Sequence, residues 1–178
     1  IILSSCQSGK TGNDTADKRS ARPDKTSLRP DKLVPQKVIR LSNSTIDAVF
    51  VDNNAFGEDH RAGYNGIAEL RHKAQDSSVF VPFYAGFNLE HIFGGDSLVE
   101  LFEPRKHPME LYRLSDNEAL LYQSPTPLSG VESQTVFKLT DPHYIDVVFR
   151  FIIHDQAFFK HGYAGLFWAS YIHEPADK

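Results

Sequence analysis

The sequence predicts an all-β fold built as an antiparallel β-sandwich, and three observations lead there. The first is the pattern of residues 131–153. Val131, Ser133, Thr135, Phe137 and Leu139 fall on one face of an extended strand, and Glu132, Gln134, Val136 and Lys138 on the other. After the turn at 140–143, Ile145, Val147, Phe149, Phe151 and Ile153 make a continuous apolar face opposite a mixed one. A period of two sustained this long is what a half-buried antiparallel strand requires. The second observation is spacing: strand-like runs recur roughly every ten residues, with Gly, Pro and Asp between them. The third is composition. Thirteen Phe and seven Tyr against one Met and one Trp suit pleated surfaces better than helix bundles. No window holds apolar residues at helical spacing.

The elements follow in order. Residues 38–41 and 45–51 are β-branched runs split by the polar turn Ser42-Asn43-Ser44. Asp52-Asn53-Asn54 with Gly57 reads as a loop. Residues 66–71, 79–83 and 87–92 are the next strands, the last ended by Gly94-Gly95-Asp96. Residues 98–102 form an apolar run that Pro104 closes. Residues 110–114 and 118–122 read as a hairpin through Ser115-Asp116-Asn117. The strand pair at 131–153 follows, then an aromatic strand around Trp168. If the apolar face of 145–153 is core, Phe149→Ala costs about 3–5 kcal/mol.

The N-terminal part reads differently. Leu3-Ser4-Ser5-Cys6 has the form that bacterial lipoprotein signal peptidase recognises: a branched apolar residue, two small residues and the chain's single cysteine. Residues 1–6 then read as the end of a signal peptide, with Cys6 lipidated and the protein anchored at the cell envelope, periplasmic or on the cell surface. Acyl chains anchor through buried CH₂ groups, each contributing about 0.8 kcal/mol. Residues 7–37 are polar and contain Arg-Pro-Asp-Lys twice, at 22–25 and 29–32, which reads as a disordered linker. Residues 38–178 are the sandwich domain. The chain stops soon after an aromatic run, which reads as truncation at the C-terminus. One cysteine excludes a disulfide framework and a thiolate zinc site. The net charge of −4 has no basic stripe for nucleic acid. No nucleophile motif, phosphate loop or metal-binding helix is present, so neither a cofactor nor a metal is expected.

Candidate site residues come from three aromatic and polar segments, 63–72, 84–91 and 154–174. Asn88 and Glu90 share a face at strand spacing, and an amide beside a carboxylate can grip vicinal hydroxyls. His91 falls with Leu89 on the opposite face, so spacing alone makes Glu90 and His91 no dyad. His154 follows a strong strand, where loops often carry function. Sugar sites need flat aromatic rings with carboxylates, amides and imidazoles around the rim. Tyr64, Asn88, Glu90, His154, His161, Trp168, Tyr171 and His173 supply those types.

The phrases at 63–70, 80–91, Phe102-Glu103-Pro104-Arg105 and 165–172 resemble a family of uncharacterised secreted bacterial lipoproteins, from about residue 45 to the end. The strand order is similar, more distantly, to the first half of a galactose mutarotase-like supersandwich. That resemblance implies that residues 154–173 approach a sugar pocket and that the general base lies in a C-terminal half beyond this chain. The functional expectation is an envelope-tethered protein that binds or processes carbohydrate. The rivals are a non-catalytic envelope or adhesion lipoprotein, with Trp168 and Tyr171 packed inside, and a concanavalin-like lectin or glucanase.

Overall fold

A computed structural model describes residues 28–54, 63–95 and 102–173. Cys6, residues 7–27 of the expected linker, the loop position Gly57, residues 98–101 and the last five residues lie outside the described part. The described chain is an all-β antiparallel sandwich with one short helix. Strands β1 (Val38–Ser42), β2 (Ile46–Val51) and β3 (Gly66–His72) form one antiparallel sheet. Strand β4 (Asn88–Phe93) pairs with β9 (Gly165–Ala169). Strands β5 (Met109–Arg113), β6 (Glu118–Gln123), β7 (Val131–Thr140) and β8 (Tyr144–Ile153) form a four-stranded meander in that order. The single β-bridge between Ile67 and Gly86 links β3 to the approach of β4.

The alternation read from the sequence builds the core. Ile39, Leu41, Phe50, Ile67 and Leu89 meet Leu111, Leu121, Phe137 and Leu139 in one buried cluster. Phe50 and Phe137 touch at 5.1 Å between ring centroids. Each such ring contributes about 1.5–3 kcal/mol through burial. The apolar face of β8 is different. Ile145, Val147 and Phe149 pack on the edge of this cluster but are only half-buried, and none of the ten β8 residues is fully buried.

Residues 79–83 do not make a strand: Phe80 forms one bridge to Ile172, and the chain then turns, with the Tyr84 N–H donating to Val81. Pro104 sits in the first turn of helix α1 (Glu103–Lys106), where its missing N–H costs nothing. The side-chain amides of Asn53 and Gln123 donate to the Pro104 and His107 carbonyls, which answers the acceptors that a helix end exposes. Glu103, 1% exposed, accepts the Leu128 and Ser129 N–H groups. This four-residue helix is therefore clamped from three sides.

The ordered domain begins earlier than Val38. Gln36 bridges to Leu111, donating its N–H at 2.7 Å. Leu28 packs with Tyr112, Leu120 and Tyr122 on the outer face of the four-stranded sheet. Arg29 holds Glu110 through two nitrogens at 2.8 and 2.7 Å. Residues 28–36 therefore dock on the domain, although composition assigns them to the linker.

Candidate functional site

The β4–β9 ladder carries a bulge. Leu89 pairs with Trp168 and His91 with Phe167, so Glu90 is an extra residue between two successive pairs. An inserted residue leaves the strict alternation of a strand and re-aims its neighbours. Glu90 and His91 consequently turn to the same side, with His91 Nε2 3.9 Å from Glu90 Oε2. The strand spacing that separates them in sequence does not apply across a bulge.

Glu90 is 5% exposed and is not left alone. Arg105 Nη1 donates to its Oε1 at 3.0 Å, and the Tyr171 hydroxyl donates to the same oxygen at 3.2 Å. Arg105 is delivered by the clamped helix α1. Its guanidinium lies 4.2 Å from the centroid of the Tyr64 ring, a cation–π contact as well as an ion pair. Tyr64, Tyr84 and Tyr171 form a triangle with ring centroids 5.0–5.3 Å apart. Gly63 makes room for the helix: a Cβ there would meet the Arg105 carbonyl oxygen at 2.3 Å, and its φ of +82° suits glycine. Burial, the Tyr64 hydroxyl and the negative charge of Glu90 push the Tyr171 phenol above its ordinary value.

An aromatic surface adjoins this polar centre. The His91 ring lies 4.5 Å from Phe102, 5.3 Å from Phe167 and 5.5 Å from Phe93. Those three phenylalanines are 41%, 45% and 36% exposed. They arise from two neighbouring strands and the residue before α1, and they frame an exposed apolar surface beside the carboxylate and guanidinium.

Tyr64, Glu90 and Tyr171 are thus brought together. Asn88 lies beneath them, fully buried, where its Oδ1 accepts from the Asn65 N–H and side-chain amide while Asn65 Oδ1 accepts from Leu89. This reciprocal pair fastens β4 to the start of β3. Trp168 faces the core side and packs edge-on against Phe149 at 4.7 Å. Trp168 and Tyr171 are both half-buried. His161 is exposed beside Tyr163, with ring centroids 6.4 Å apart, and His173 is exposed, its N–H donating to the Val79 carbonyl.

His154 belongs to another cluster, on the outer face of the four-stranded sheet. Its Nε2 lies 2.7 Å from Oε2 of Glu132, which is 1% exposed. The second Glu132 oxygen accepts the Tyr122 hydroxyl at 2.9 Å and the Leu28 N–H at 2.8 Å. The carboxylate thereby ties β6, β7, the end of β8 and the docked N-terminal segment together. Among the described residues no three His, Cys, Asp or Glu side chains gather as metal ligands. A shallow concavity of about 250 Å³ lies over β1–β3, where Asp47 is already engaged by Ser42 and Arg71.

His91, placed on the opposite face by strand spacing, completes the Glu90 centre with Arg105, Tyr84, Phe102 and Phe167, which were not named as site residues from the sequence. No family model matches this chain, and no curated protein or solved structure matches it either.

Proposed function

We propose that this protein is an envelope-tethered carbohydrate-binding lipoprotein whose sugar contacts lie around Glu90. The observation that carries the reading is the bulge, which sets a carboxylate, a guanidinium, an imidazole and a phenol beside three exposed phenylalanine rings. Sugars present both chemistries at once: hydroxyls that need fixed donors and acceptors, and C–H faces that lie on aromatic rings. The contacts of Glu90 with Arg105 and Tyr171 suit an acceptor held in place, which favours binding over glycan cleavage. Bulges are over-represented next to functional sites because they re-aim side chains.

The Cys6 motif supplies the address. Lipidation would place the domain among the glycans of the envelope, with residues 7–27 as part of the tether.

A glycan array probed with the full chain and with the Phe167→Ala variant tests the reading. Binding to a defined glycan class that falls at least tenfold in the variant supports it. Absence of any glycan binding by the folded wild type sinks it. Membrane fractionation of Cys6→Ser tests the tether separately, since release into the soluble fraction is expected and persistent attachment refutes lipidation at Cys6.

A further inference from the structure

Strand β8 is the edge of its sheet among the described residues. All ten of its residues pair with β7 in unbroken register, from Tyr144 opposite Thr140 to Ile153 opposite Val131. There is no proline, glycine or bulge in it. Edge strands usually carry such devices, because a long regular edge offers free N–H and C=O groups to another strand. Tyr144, Val148 and Phe151 are also 56%, 46% and 42% exposed.

The hydrogen-bond phase identifies the free groups. The His154 N–H donates to Gly130, one step past the Ile153–Val131 pair. In an antiparallel ladder, hydrogen-bonded and non-hydrogen-bonded pairs alternate. The even-numbered residues of β8 therefore bond to β7, and the main-chain groups of Ile145, Val147, Phe149 and Phe151 point away from it.

The side chains then select the occupant. In an antiparallel pairing of β8 with itself about a two-fold axis at Val148, Val147 lies opposite Phe149 of the second copy and Ile145 opposite its Phe151. These are the residues whose main-chain groups point away from β7, so the new ladder is in phase. On the outer face Asp146 lies opposite Arg150 of the second copy, and by symmetry Arg150 lies opposite Asp146. Moving the axis by one or two residues removes this match. Neither charge is tied into an ion pair of its own sheet. Lys138, the β7 neighbour of Asp146, is held by Glu118 at 3.1 Å, and Arg150 reaches only Gln134 at 3.5 Å. Opposite charges at directly facing positions stabilise a strand pair, and like charges destabilise it.

We infer that two copies of this chain associate through β8, in an isologous antiparallel pairing centred on Val148 that joins the two meanders into one eight-stranded sheet. The symmetry is that of the commonest closed oligomer. The surface is independent of the Glu90 centre, so the inference stands apart from the carbohydrate reading.

Sedimentation or light scattering of the full chain in reducing buffer, where Cys6 cannot cross-link, tests it. Wild type is expected to show a concentration-dependent doubling of mass. Asp146→Arg alone and Arg150→Asp alone should each be monomeric at the same concentrations, because each places like charges across both contacts. Mixing these two variants should restore the dimer as a heterodimer, since both contacts are then opposite in charge. The double variant carrying both reversals should dimerise with itself. A wild type that is monomeric at every concentration overturns the inference, as does a dimer that either single reversal leaves intact or a mixture that stays monomeric. All the altered positions are exposed, so circular dichroism should show each variant folded.

Discussion

The β4–β9 and β7–β8 ladders are both antiparallel, and they differ by one inserted residue. In β4–β9 the extra residue Glu90 breaks the alternation, turning a carboxylate and an imidazole to one side, where Arg105 and Tyr171 meet them. In β7–β8 the register runs unbroken for ten pairs, so charges alternate with apolar residues along an open edge. The irregular ladder concentrates different chemistries at a point. The regular one spreads a repeated pattern along a line, which suits pairing with another strand. The proposed binding centre and the inferred assembly surface thus use the same secondary structure, with and without a bulge.

An arginine-to-alanine substitution in each region separates the two ladders most. Arg105→Ala removes the partner of a nearly buried carboxylate and is expected to destabilise the fold by about 3–5 kcal/mol. Arg150→Ala, on the exposed side of β8, is expected to stay within about 0.5 kcal/mol in the monomer. Denaturant titration of both variants measures the contrast. Equal costs would mean that the Glu90–Arg105 pair is no more enclosed than a surface charge.

A smaller effect separates the two faces of the β7–β8 pair. Phe137 is fully buried against Phe50, whereas Phe149 is half-buried at the edge of the same core. Phe149→Ala is therefore expected to cost about 1–2 kcal/mol, below the cost of a full core truncation. With Phe137→Ala as the reference, a Phe149→Ala loss that matched it in thermal melts would show that β8 is covered more completely than its exposure indicates.

The fold was legible where local pattern and tertiary position agree. Strands β1 to β8 lie within a residue or two of the runs read from the sequence, because each has one face on the core. Helix α1 was not legible, since four residues cannot display a helical period and Pro104 reads equally as a strand terminator. Of the Glu90 centre, Tyr64, Glu90 and Tyr171 were recognisable by residue type. His91 was assigned to the wrong face because a bulge leaves no mark on a period of two. Arg105 depends on a contact between a helix and a strand fifteen positions earlier, which only packing creates. The half-exposure of β8 was hidden for a related reason: alternation reports which residues share a face, not whether a second layer covers it.

The smallest expected effect lies at the irregular ladder and shows itself only in alkali. Burial raises the Tyr171 phenol first, and the Tyr64 hydroxyl and the Glu90 charge raise it further. In the unfolded chain a tyrosine ionises near pH 10. Between that value and the higher folded one, the unfolded state binds fewer protons, so stability falls as pH rises. The contribution is complete below about pH 10 and is lost as pH climbs through the folded value. Tyr171→Phe keeps the ring contacts with Tyr64 and Tyr84 but cannot ionise. It should melt within a few degrees of wild type at neutral pH and lose less stability than wild type above pH 10. Melting curves from pH 8 to pH 11 on both proteins decide the matter, and parallel alkaline slopes would mean that the Tyr171 hydroxyl is solvated and not held against Glu90.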